Sequence, residues 1–239
     1  MKRKAILMAA GRGTRLSRKM PGNCKCTLDI GGISLIRHTV EMLINFNIEV
    51  HIVVGYNKNQ IIDSLRELPV TFHENVFYSI TNSLASLWFA RNELAEGLII
   101  LGNADVYWDE QILSFLLEER RDCVMLSDST RVEVGDYLFY VEDEKVMTYG
   151  KGVNITNANC EYVGITMIQG DMIPKFKQQV CALIESQWHS DWWESALYKM
   201  IPHRPIWTKD VAGHFWGEID FVEDYERILA YRRDNSYAE

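Results

Sequence analysis

The sequence predicts an α/β fold, a doubly wound and mostly parallel sheet with antiparallel additions in its second half, formed by a single domain over 1–239. Three observations carry this. Short, almost wholly apolar runs that stop at glycine read as strands buried on both faces. Segments with helical apolar spacing alternate with those runs through a first half, 1–122. Beyond it, in 123–239, short strands follow one another across polar turns.

In chain order, 4–9 is a buried strand that ends at Gly11, and 11–23 is a glycine-containing, basic loop. Residues 34–46 have helical spacing behind a Ser of N-cap type, Ser34. A strand at 51–54, a helix over 59–68, a strand at 70–72, a helix over 82–94, a strand at 97–101 and a helix over 109–119 follow. Parallel neighbours need crossovers, and these helices supply them. Strands are then expected at 123–126, 137–141, 145–148 and 162–168, with a hairpin near Glu142 and Asp143. Helices near 174–185 and 193–200 and a last one over 221–232 complete the chain.

Composition excludes several functions. A formal charge of −8 opposes the phosphate neutralisation on which nucleic-acid binding rests. No apolar run approaches the roughly 18 residues of a membrane span, and the apolar stretch after Lys4 is too short for a secretory signal. Five cysteines, an odd number, in a chain of 239 residues read as cytosolic thiols, and the expected location is cytoplasmic. Cys24 and Cys26 have no second Cys or His pair at zinc spacing, so no metal is assigned to them.

The first strand runs into Ala9-Ala10-Gly11-Arg12-Gly13-Thr14-Arg15-Leu16, where glycines let backbone N–H groups approach a phosphate and Arg12, Arg15 and Lys25 add positive charge. Leu16 stands where a third Rossmann glycine would fall, and no Gly-Lys-Ser/Thr follows, so neither a dinucleotide fingerprint nor a Walker loop is present. Asp105 lies at the carboxyl end of a predicted central strand, where open α/β sheets collect ligands. Glu218 and Asp220, at i and i+2, share a face if extended. Asp220 reads equally as the N-cap of the last helix, with Glu223 completing a capping box.

The glycine string, with Lys25 and then Leu28-Asp29-Ile30-Gly31-Gly32, resembles the signature of small bacterial nucleotidyltransferases of the MobA-like NTP transferase fold. The later motifs are similar to those of phosphocholine cytidylyltransferase and related phosphonate cytidylyltransferases: an acid at Asp105, Glu218-Ile219-Asp220, and Thr81-Asn82-Ser83-Leu84-Ala85-Ser86. The resemblance implies a loop that wraps the triphosphate, built on Leu7, Ala9, Ala10, Gly11, Arg12, Gly13 and Thr14, with Arg15 and Lys25 neutralising charge. It further implies Mg²⁺ on Asp105 and Asp220, CTP as nucleotide, and Asn82 and Ser86 in the nucleotide site. Asn82 has the donor and acceptor to read a pyrimidine edge and is equally a helix N-cap. Two departures stand out: Cys24 replaces the usual proline before the lysine, and Asn103 replaces an acid found two positions before Asp105 in some relatives.

Trp192, Trp193 and Glu194 suit a cationic head group, since an ammonium is attracted to an indole face; the alternative is core or a dimer contact. Glu218 is left between the metal and a cationic acceptor. The implied reaction transfers CMP from CTP to a small phosphate or phosphonate acceptor, of phosphocholine or 2-aminoethylphosphonate type, releasing pyrophosphate. The competing readings are a sugar-1-phosphate nucleotidyltransferase using UTP or dTTP, a molybdopterin-type nucleotidyltransferase, and a non-catalytic nucleotide-binding module. The tryptophan-rich second half is a candidate homodimer face.

Overall fold

The computed structural model describes residues 2–13, 22, 24–151 and 157–235. Its frame is a nine-stranded sheet. Strand β1 (Arg3–Ala9) lies between β2 (Glu49–Val54) and β4 (Leu98–Asn103), and β3 (Val70–Glu74) forms the edge beyond β2, all parallel. Central position explains the unbroken apolar run. Ala5, Leu7 and Ala9 face one core with Ile36 and Val40, while Ile6 and Met8 face the other with Leu84 and Leu87.

Helix α1 (Leu35–Asn45) starts where capping predicts, with the Ser34 hydroxyl accepting from the Arg37 N–H. Helix α2 (Lys58–Ser64) ends before the expected 68, because Leu65 closes the last turn and Glu67 takes a left-handed φ of 74°. Helix α3 (Ser83–Phe89) likewise stops short of 94 and continues as a 3-10 turn, Arg91–Glu93. Helix α4 (Glu110–Glu118) is capped by Asp109, whose carboxylate accepts from the Gln111 and Ile112 N–H groups.

The second half extends the same sheet. Strand β9 (Cys160–Gln169) runs antiparallel between β4 and β6 (Cys123–Asp128), so β6 points the same way as β4. Strands β7 (Tyr137–Glu142) and β8 (Lys145–Lys151) form the expected hairpin, turned by Asp143 and Glu144 at φ 48° and 58°. Strand β10 (Trp207–Asp210), which no sequence pattern predicts, fits between β6 and β8. Strand β7 also pairs with the start of β9, curling this half. Helix α5 (Met172–Glu185) covers one face.

The helix expected over 193–200 is one turn, α6 (Ser195–Tyr198), because the chain before it is tied down irregularly. His189 and Asp191 carbonyls accept from the Asn82 and Leu84 N–H groups, and the Trp193 N–H donates to the Ser83 hydroxyl. Finally, β5 (Val106–Tyr107) pairs with β11 (Gly217–Glu218) in a separate ribbon before α7 (Val222–Asn235). That ribbon joins two distant stretches of sequence. No helix of the described residues is long and apolar enough to cross a membrane, and all five cysteines are free thiols.

Candidate active site

The carboxyl ends of β1 and β4 define the site. Their exits are held together by the Ala104 N–H donating to the Met8 carbonyl, while the Tyr56 N–H donates to the Ala10 carbonyl. The loop beyond Ala10 passes through Gly13 at φ 55°, where a Cβ would sit 2.8 Å from Lys25 Cγ. Glycine is thus required both for the turn and for the lysine stem beside it. Lys25 opens a 3-10 turn (Lys25–Thr27), whose preceding residue Cys24 is anchored by its N–H to the Gln60 side chain at 3.2 Å.

Lys25 reaches across the site. Its Nζ hydrogen-bonds Asp220 Oδ1 and stands 3.4 Å from Asp105 Oδ2. The β5–β11 ribbon makes this meeting possible: Glu218 pairs with Val106, and the Ile219 N–H donates to the Asp105 carbonyl at 3.0 Å. Asp220 stands just before α7. The Asp224 carboxylate reaches back over the start of that helix, accepting from the Asp220 and Phe221 N–H groups at 3.1 and 2.8 Å.

Charge is out of balance here in a way that is chemically informative. Burial by itself would depress the Lys25 ammonium, but the neighbouring Asp105 and Asp220 charges outweigh it and raise the pKa. Glu218 is held well above the ordinary carboxyl range by burial, reinforced by Asp105 and Asp220 and opposed by Lys25. Burial pushes Glu194 up to about 8, against hydrogen bonds from its backbone and the Asn103 side chain. Asp105 and Asp220 on one ammonium offer the hard oxygen donors and surplus negative charge that suit Mg²⁺, which takes one or two carboxylates plus substrate phosphates.

Two cavities meet at this point. The first, about 290 Å³, is lined by Ala9, Ala10, Gly11, Gly13, Lys25, Asn82, Ser86 and Asp105, together with Asn75 and Tyr78. Asn82 also caps α3, its side-chain oxygen accepting from the Ser83 N–H at 2.8 Å. The second, about 310 Å³, is walled by Tyr137, Tyr162, Trp192 and Tyr198 and carries the acids Asp136, Glu161, Glu194, Glu218 and Asp220. Gly13, Lys25, Ser83, Asn103, Trp192 and Glu218 line both.

Three residues expected in the site do not line either cavity. Leu7 is core beneath the loop, because β1 is covered on both faces. Arg12 is exposed, with its guanidinium 5.8 Å from the Tyr78 ring centre. Trp193 is wholly buried and lines neither cavity; its indole N–H donates to Asn103 Oδ1 at 3.1 Å. It positions Asn103, while Trp192 alone of the pair forms wall. Thr14 and Arg15 lie outside the described residues.

Sequence reasoning missed Asn75, Tyr78, Tyr137, Tyr162 and Tyr198. Buried Asn75 has a readable cause only in three dimensions: its amide donates to Thr81 and Ser86 hydroxyls at 3.0 Å each and its oxygen accepts from the Phe77 N–H, stiffening the cavity wall. Asn103 also gains a reason for not being an acid. It accepts from Trp193 and donates to Glu194, and a carboxylate could not do the second.

Fold and site together define a nucleotidyltransferase. The MobA-like NTP transferase domain model matches residues 5–188, and the chain belongs to that family. It is similar to the 2-aminoethylphosphonate cytidylyltransferase of Lancefieldella rimae, 31% identical over 223 residues that cover 92% of this chain and 82% of that protein. It is also similar to the choline-phosphate cytidylyltransferase of Streptococcus pneumoniae, 26% identical over 94% of this chain and 96% of the other. The solved structure of a CTP:phosphocholine cytidylyltransferase from that organism shares the fold, with a TM-score of 0.78, 24% identity, and coverage of 97% of this chain and 99% of that one.

Proposed function

We propose that the protein is a cytidylyltransferase: it transfers CMP from CTP to a small acceptor bearing a phosphate or phosphonate at one end and a cationic amine at the other, and it releases pyrophosphate. The observation that carries this reading is the second cavity, aromatic and acidic at once and opening onto Lys25 and Glu218 beside the glycine-lined one. An ammonium gains from indole and phenol faces and from nearby carboxylates, whereas a neutral sugar draws little from such charge. The likeness to cytidylyltransferases for 2-aminoethylphosphonate and phosphocholine supports the same choice.

In this reading the triphosphate lies along Ala10, Gly11 and Gly13, whose lack of bulk lets backbone approach phosphate oxygens. Asn82 faces the pyrimidine, and Lys25 neutralises phosphate charge. Asp105 and Asp220 would hold Mg²⁺, which supplies charge neutralisation on the phosphates when bound. An acceptor oxygen attacks the α-phosphorus as the bond to the β-phosphate bridging oxygen breaks, and that oxygen leaves with pyrophosphate. The attacking oxygen is already largely ionised at neutral pH, so the residues have no proton to remove. Their work is positioning and electrostatics. Trp192 and Glu194 hold the amine end, and Glu218 sits between the amine and the phosphates.

The test is a pyrophosphate-release screen of four NTPs, with Mg²⁺, against phosphocholine, 2-aminoethylphosphonate and sugar 1-phosphates. Release with CTP and an amine-bearing acceptor is expected. Turnover confined to UTP or dTTP with a sugar phosphate, or none with any pair, would reject the reading.

A further inference from the structure

Away from both cavities, the edge of the sheet carries a cluster that the transfer reaction does not use. His51 in β2, His73 in the neighbouring edge strand β3, and Glu93 in the 3-10 turn after α3 converge, one ligand atom from each lying within 4.8 Å of the others. None of the three lines either cavity. We propose that His51, His73 and Glu93 form a binding site for a divalent transition-metal ion of the zinc type, which clasps the edge strand to the turn after α3.

The donor geometry carries the argument. His51 Nδ1 and His73 Nε2 are 3.2 Å apart. Two imidazole nitrogens on one tetrahedral zinc, each at about 2.0–2.1 Å, are separated by about 3.3 Å. One edge of the coordination figure is therefore already set by backbone register, which pairs His51 with Thr71 and Val53 with His73 in adjacent parallel strands. His51 also has carboxylates beside its remaining nitrogen. The other nitrogen of His51, Nε2, lies 3.0 Å from Glu49 Oε1 and 3.4 Å from Glu93 Oε2, the carboxylate partnership that orients metal-bound histidines. Glu93 divides its labour: Oε2 accepts from Lys4 Nζ at 2.6 Å, while Oε1 faces His73 Nε2 at 4.0 Å and has only a small distance to close.

Ligand chemistry favours zinc over magnesium, since two imidazoles and one carboxylate are borderline ligands and Mg²⁺ prefers oxygen. His51 is buried and His73 and Glu93 are half-buried, and a water or hydroxide would complete the four ligands of a zinc site.

The experiment uses the full chain in saturating Mg²⁺, which keeps the Asp105 region occupied, and titrates Co²⁺ and Zn²⁺ separately. The expected result is one equivalent of Co²⁺ giving the strong visible bands of a tetrahedral site, displaced by Zn²⁺, with a zinc-dependent rise in Tm. His73→Gln and Glu93→Gln should each weaken binding at least about tenfold and abolish the Tm rise, with pyrophosphate release unchanged. Circular dichroism verifies that the variants fold; His73→Asn serves if His73→Gln does not. Absence of tetrahedral Co²⁺ bands in the wild type, or bands and affinity unaltered in both variants, would overturn the assignment.

Discussion

Replacing Lys25 with Met keeps the aliphatic stem beside Gly13 and removes the ammonium that Asp105 and Asp220 share. At the 3.4 Å separation from Asp105, an effective dielectric of about 20 gives about 5 kcal/mol of gross attraction. Desolvation of the ammonium opposes part of it. Removing one member of a fully buried pair costs about 3–5 kcal/mol, and for this half-buried one a cost of at most about 3 kcal/mol is expected, because the remaining charges are left facing one another. Lys25→Met should therefore lower the unfolding free energy by that amount in cation-free buffer. Mg²⁺ should restore much of the loss, since it neutralises the same carboxylates. Turnover should fall roughly 10²–10³-fold even with Mg²⁺, as it does when one electrostatic stabiliser is deleted. Denaturant titration with and without Mg²⁺, alongside pyrophosphate release, measures all three. Unchanged stability in both buffers together with unchanged turnover would refute the assignment of Lys25 as the neutralising charge.

Glu194 ties stability to pH. Its folded pKa, raised to about 8 by burial, means that the native state keeps a proton the unfolded chain has released. In substrate- and cation-free buffer, stability should therefore fall as pH rises from about 5 to 8, by up to about 1.4 kcal/mol per pH unit. Glu194→Gln should flatten this slope, and equal slopes in denaturant titrations would contradict the cause. Binding of an ammonium-bearing acceptor should release a proton from the same group, read as calorimetric heats that differ between buffers of unlike ionisation enthalpy. Gly13→Ala, which places a methyl 2.8 Å from Lys25 Cγ at a left-handed φ, should raise KM for the nucleotide and lower kcat; wild-type kinetics would show that the loop adjusts freely. Trp193→Phe deletes the donor to Asn103 and should cost about 1–3 kcal/mol of stability while raising KM for the acceptor more than for CTP. An equal rise in both would remove its positioning role.

Local signals told most where local forces decide the structure. Burial on both faces made β1 legible, and Ser34 and Asp109 marked helix starts because caps act within three residues. Helix ends were less legible: α2 and α3 stop where side chains and turns elsewhere take over, and Trp193 turned inward while its neighbour Trp192 stayed at the wall. Strands β5 and β11, two residues each, are too short for any periodicity, yet their pairing is what brings Asp105 and Asp220 to one lysine. The tyrosines of the second cavity come from β7, β9 and α6, and no spacing connects them.

The proposal that Asp105 and Asp220, which converge on Lys25, hold Mg²⁺ for the transfer is tested most directly by Mg²⁺-dependent pyrophosphate release from CTP and acceptor by Asp105→Ala. With the fold verified and Mg²⁺ saturating, the site geometry predicts a loss of kcat of about 10² or more. Turnover near the wild-type value in that variant would contradict it.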